Sequence, residues 1–107
     1  MFSPEPADEK QLLKAVLAPL LDDFLYWFDL SLTALEKKSL SFMAPAEQED
    51  LIARIRQAQG EVMATKSLFQ ATDGNAGVDV QVLMPWHQLV SECWQVAQKR
   101  RQLEGEA

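Results

Sequence analysis

From Leu12 to Leu35 the apolar residues recur as Leu13, Val16, Leu17, Leu20, Leu21, Phe24, Leu25, Trp27, Phe28, Leu32 and Leu35. These three- and four-residue steps predict one face of a long helix. At roughly 100° per residue, Leu17, Leu21, Phe24, Phe28 and Leu35 form the middle of the stripe, with Trp27 and Leu25 on its shoulders. Tyr26 and Leu30 fall outside it, about one turn apart and beyond the Trp27 shoulder. Asp22, Asp29 and Glu36 mark the wet side. The apolar arc covers about half the circumference or more, whereas a surface helix typically needs only ~100°. Such a helix must touch at least two others, and Tyr26 and Leu30 remain unplaced even then.

The pattern predicts two further helices. Residues 1–7, with Pro4 and Pro6, read as an irregular tail, and Asp8 as the N-cap of the first helix, which runs to about Lys38. Pro19 interrupts it without a phase break, so a kink is preferred to two helices over 8–17 and 19–38. Residues 39–44 form a connection in which Phe42 and Met43 fold back on the bundle end. Pro45 and Glu47 suit the first turn of a second helix. Its stripe is Leu51, Ile55, Ala58, Val62, Thr65 and Phe69, flanked by Ile52, Met63 and Leu68, with Gly60 on the opposite, solvated side. The break Thr72-Asp73-Gly74-Asn75-Ala76-Gly77 offers Gly74 as a helix stop and Gly77 as a second permissive position. Asp79 caps a short turn over 80–84, and Pro85 begins or kinks a third helix bearing Trp86, Leu89, Val90, Cys93, Val96 and Ala97, fraying after Arg101. Residues 102–107 read as a loose tail. The expected fold is all-α: a single domain over 8–101, an antiparallel three-helix bundle built on a long helical hairpin.

Composition narrows the function classes. At 107 residues the chain is one domain with a real core. Sixteen acidic against ten basic residues give a net charge of −6, which opposes nucleic acid, and the clustered cations, Lys37 and Lys38 or Lys99 to Arg101, read as helix-end residues. No uncharged apolar run is long enough to span a membrane. One cysteine and an amino end unlike a signal peptide lead to an expected reducing cytoplasm.

Candidate chemistry is sparse. His87, the only histidine, is the weak candidate for a cofactor ligand, but Cys93 lies six residues on, about 120° around the helix, and no second His or Cys completes a metal set. Cys93 reads as a small buried hydrophobe. Asp22 and Asp23 point about 100° apart and cannot act as a paired acid and base. With no phosphate loop or nucleophile elbow, no enzyme is expected, and no cofactor. Trp27, Trp86 and Trp94 divide between core packing and a partner surface, since interfaces favour Trp and Tyr.

Three strings, Phe-Leu-Tyr-Trp-Phe at 24–28, Lys-Ser-Leu-Phe-Gln-Ala-Thr-Asp-Gly at 66–74 and Met-Pro-Trp-His-Gln-Leu-Val-Ser-Glu-Cys-Trp-Gln-Val at 84–96, give the chain a resemblance to a small family of uncharacterised cyanobacterial proteins, a domain of unknown function. The resemblance spans about Leu12 to Ala97. It implies a photosynthetic host and a role near photosynthesis or carbon metabolism, and it transfers no catalytic residue. The reading is therefore a non-catalytic interaction or assembly module that binds itself or a protein partner through Tyr26, Trp27, Leu30 and Trp94. The alternative is a cofactor or pigment carrier in which the aromatic residues and His87 line a pocket between helices.

Overall fold

The computed structural model describes residues 6–73 and 80–106, and side chains over 15–73 and 81–104. Three helices follow in order: α1 (Pro6–Lys37), α2 (Pro45–Ala71) and α3 (Val80–Glu106). The all-α reading holds. Helix α1 packs on both others, extensively on α2 and less so on α3, while α2 and α3 barely approach each other. Cross-links fix the directions. Asp22 pairs with Lys66 and Glu36 with Arg56, so α1 and α2 run antiparallel. Phe24 meets Trp86 and Trp27 meets Trp94, so α3 runs parallel to α1.

The core follows the expected stripes with two additions and two losses, since Val16 and Ala97 are exposed. Leu21, Phe24, Phe28, Leu32 and Leu35 of α1 close on Leu51, Ile55, Ala58, Val62 and Phe69 of α2 and on Trp86, Leu89, Val90 and Cys93 of α3. The shoulders Leu25 and Trp27 are half-buried, and so are Leu17 and Thr65, which the pattern places within the stripes. Phe42 and Met43 pack against the core from the connection, as their apolar character predicts, and Lys99 Nζ lies 5.0 Å from the Phe42 ring centroid. Leu40 joins them as a buried residue. Gly60 is exposed, with open space where a Cβ would stand.

The second addition is Gln48, the one buried polar side chain among the described residues. Its Oε1 accepts from the Leu40 N–H at 2.9 Å, and its Nε2 donates to the carbonyls of Leu35 at 2.8 Å and Lys38 at 3.0 Å. A helix end leaves its last carbonyls without intrahelical donors. Here a residue of the next helix supplies the donors, so the first turn of α2 caps the end of α1.

Several boundaries differ from the sequence reading. Helix α1 begins at Pro6, whose fixed φ suits a first helical position, so Asp8 lies inside the helix and not at its cap. It continues through Pro19 as one element, so the two-helix alternative fails. Helix α3 likewise starts at Val80 and passes through Pro85 without a separate turn. It also extends past Arg101 to Glu106, where Gln102, Leu103 and Glu104 are good helix formers and Arg100 Nε binds Glu104 Oε1 at 3.0 Å. Lys99 to Arg101 are consequently not in the last turn. At the end of α2 a left-handed backbone falls on Asp73 (φ 52), a residue type that tolerates it. Gly74, Gly77 and the proposed Asp79 cap lie outside the described residues.

The assembly is long and thin, 59 × 30 × 19 Å, with a radius of gyration of 17.4 Å where a compact chain of this length has about 13 Å. Its accessible surface, 7676 Å², exceeds the roughly 6,000 Å² of a folded monomer of this mass by about a quarter. The surplus is that of an elongated rather than a spherical shape.

Candidate functional site

Four aromatic residues in five positions cannot all enter one core, because successive side chains step about 100° around a helix. Phe24 and Phe28, four apart, stack 6.1 Å centre to centre inside the bundle. Trp27 turns toward α3 and is half-buried; Tyr26 turns outward and is 60% exposed. On α3 the same arithmetic separates Cys93, buried, from Trp94, 47% exposed. The parallel run of α1 and α3 brings these outward residues together. Tyr26 meets Trp27 edge-on at 5.2 Å, and Trp27 meets Trp94 edge-on at 5.4 Å. Leu30, 49% exposed, follows Tyr26 by one turn. All four residues singled out from the sequence therefore lie on one seam along α1 and α3, and three of them form a continuous aromatic chain.

Edge-to-face contacts suit the positive edge and negative face of neighbouring rings, at about 0.5–1.5 kcal/mol each beyond area burial. They hold the rings in place. The indole N–H groups of Trp27 and Trp94 meet no acceptor among the described residues, unlike that of buried Trp86, which reaches Glu61 Oε1 at 3.4 Å. The seam carries charge at its two ends. Asp23 and Lys37 are both exposed, and neither meets an opposite charge among the described residues. Asp22, one position away, is tied to Lys66.

His87 is exposed and is not brought beside Cys93. No group of three His, Cys, Asp or Glu side chains able to hold a metal ion occurs among the described residues. Cys93 is buried as expected. Burial pushes its thiol pKa up, against a smaller pull the other way from its hydrogen bond with Ser31, so the thiolate is disfavoured. Beside it runs a crevice of about 170 Å³ between α1 and α3, floored by Leu35, Leu40, Leu51 and Cys93, with the Arg100–Glu104 pair at its mouth. That space is comparable to the ~150 Å³ cavity that admits a single benzene ring.

Two features of the assembly escaped the sequence reading. Gln48 had a signal: stepping back three from Leu51 along the α2 stripe lands on it. The second is a fork in which Arg54 Nη1 and Nη2 bind Glu92 at 2.8 and 2.9 Å while Arg54 Nε binds Asp50 at 2.8 Å. This joins α2 to α3 where their backbones stand apart. The hydrogen bond from Arg54 is the chief reason the Glu92 carboxyl lies below its usual range, and Glu92 in turn raises Arg54. No local pattern marks such a pair.

Among the described residues no helix is long and apolar enough to cross a membrane. No curated protein and no solved structure matches the chain. The model of one family, described as "Protein of unknown function (DUF2605)", matches residues 7–102, which takes in the aromatic seam, the Gln48 cap and the Arg54–Glu92 fork. The chain belongs to this DUF2605 family.

Proposed function

We propose that the protein is a non-catalytic assembly module whose docking face is the seam of Tyr26, Trp27, Leu30 and Trp94. The observation that carries this reading is the aromatic chain itself: three rings ordered against one another, across two helices, yet left half open to water. Ordered Trp and Tyr in a shallow apolar patch are what protein interfaces select, because they offer large contact area at small entropy cost. We place the module in the reducing cytoplasm of a photosynthetic bacterium, on the strength of its lone cysteine and the sequence resemblance.

Size-exclusion chromatography with light scattering, on the purified protein and on the protein in native extract, tests this. The expected result is association in at least one setting that Tyr26→Glu with Leu30→Glu abolishes while the helical circular dichroism is unchanged. Association that survives the double substitution, or a single-chain mass in both settings, overturns it.

The carrier reading draws on the crevice beside Cys93. Its size favours a group no larger than one ring over a pigment, and the exposed His87 is not among its lining residues. A visible absorbance band on protein purified from its host would be the expected sign of a carrier, and colourless protein would dismiss a pigment.

A further inference from the structure

Resting on the assembly reading, we propose that the partner at the seam is a second copy of this chain, docked antiparallel about a two-fold axis at Leu30 of α1. The argument begins with three exposed residues seven apart: Asp23, Leu30 and Lys37. Positions seven apart return to nearly the same side of a helix, drifting only about 20°. They therefore form one stripe, acidic at one end, apolar at its midpoint and basic at the other. With a rise of 1.5 Å per residue, each charge stands about 10 Å from Leu30.

Such a stripe is complementary to its own reverse. In a two-fold contact the same patch serves both subunits, and residue i meets j while j meets i. An axis through Leu30 brings Leu30 against its mate, Asp23 against the second copy's Lys37, and Lys37 against its Asp23. A parallel, in-register pair would instead set Asp23 against Asp23 and Lys37 against Lys37. Like charges facing each other across an interface are strongly disfavoured, so the parallel arrangement is rejected. Both charges are available for the new pairs, since neither has an opposite charge within its own chain among the described residues. Of the neighbouring acids, Asp22 is committed to Lys66 and Glu36 to Arg56, while Asp29, about 100° around the helix from Leu30, stays off the stripe.

The apolar part of the seam lies where such an axis needs it. Tyr26, Trp27 and Ala34 flank Leu30 on α1, and Trp94 borders it from α3 through its contact with Trp27. Two copies would place their aromatic chains around the axis, with the charge pairs toward the rim, the usual anatomy of an interface centred on Trp and Tyr.

The test uses exposed charges, so that folding is left intact. Purified wild-type protein, Asp23→Lys, Lys37→Asp, an equimolar mixture of those two variants, Leu30→Glu and Tyr26→Glu are compared by sedimentation over a hundredfold concentration range, with circular dichroism as a control for helicity. In the Asp23→Lys dimer both cross-subunit pairs become Lys–Lys, and in the Lys37→Asp dimer both become Asp–Asp. In the mixed dimer both pairs are again opposite in sign. The expected result is a wild-type dimer, dissociation constants raised about ten- to thirtyfold in each single variant, and recovery in the mixture. A wild-type monomer throughout the range overturns the second copy as partner, while the seam itself is then judged by the native extract. Dimers that Leu30→Glu breaks but the charge reversals leave alone, or a mixture no tighter than its components, overturn the two-fold at Leu30 and leave the seam standing. Dimers indifferent to Leu30→Glu and to Tyr26→Glu overturn both.

Discussion

Replacing Gln48 by Leu keeps the volume near that of glutamine and removes all three hydrogen bonds of the interhelical cap. Two of the groups left behind, the Leu40 N–H and the Leu35 carbonyl, belong to buried residues; the Lys38 carbonyl is partly buried and can recruit water. A buried polar group stripped of its partner costs about 1–3 kcal/mol, and two such groups, offset by the extra apolar burial of leucine, give a net loss of about 2–4 kcal/mol. For a domain of this size that corresponds to a fall in Tm of about 10–25 °C. Urea denaturation followed by circular dichroism, with the slope of the transition checked against wild type, measures it. Gln57→Leu, an exposed glutamine on the same helix, is the control and should stay within about 0.5 kcal/mol. Gln48→Glu adds a sign test. A carboxylate keeps the acceptor for Leu40 but turns an oxygen toward two carbonyls, so its folded-state pKa rises above the unfolded value of about 4.3. The damage should then be greatest at neutral pH and ease as pH falls through that raised value. A loss below about 1 kcal/mol for Gln48→Leu, at unchanged slope, refutes the view that this side chain caps α1.

Three further outcomes follow from the packing. Trp86→Ala, which empties a buried site against Phe24, should cost about 3–5 kcal/mol in urea melts, whereas Trp94→Ala should cost about 1 kcal/mol or less, because half of that ring already faces water. Glu92→Gln should cost about 0.5–1 kcal/mol near pH 7, the discounted value for a surface pair in fork geometry. Since Arg54 depresses the Glu92 pKa, that contribution is complete above the unfolded carboxyl value and is lost as pH falls through the lower folded one, so the two proteins should converge in acid melts. An aromatic disulfide reagent should modify Cys93 at least about tenfold more slowly in the native protein than in urea at the same pH, as befits a buried thiol held protonated.

The parts of this fold legible in the sequence were those governed by period. Repeats of three and four fixed which side of α1 and α2 is buried, and the width of the α1 arc foretold the open seam at Tyr26 and Leu30. The seam's third ring, Trp94, was named from its residue type, but its contact with Trp27 depends on α3 lying parallel to α1, which no local pattern encodes. The boundaries were misread where one residue type was given too much weight. Pro19 interrupts the pattern without a phase break, and the helix runs through it as that preference for a kink expects; Pro85 is passed in the same way, so the short turn expected over 80–84 is the first turn of α3. At the end of α2 Asp73 takes a left-handed backbone that no apolar period marks, while the Gly74 expected as the helix stop lies outside the described residues. Gln48 was passed over because a polar residue on an apolar stripe looks like the end of the stripe; here it is the stripe's first member, and the groups it satisfies are backbone atoms that a sequence does not display. The Arg54–Glu92 fork spans 38 residues of chain and becomes visible only once α2 and α3 are in place.

The passage of α1 through Pro19 has a consequence for motion. Proline has no N–H to give to the Ala15 carbonyl, so one rung of the helix is missing there. Among residues 15–20 none is fully buried, and the enclosed core begins only at Leu21. A missing rung beside a stretch with little tertiary contact makes an opening unit separate from the global one. Amides before Pro19 should exchange with solvent through local fraying, while those after Leu21 wait for the bundle to unfold. The expected result is that the first turns of α1 open locally while the seam centred on Leu30 stays closed, which amide protection on the two sides of Pro19 would report.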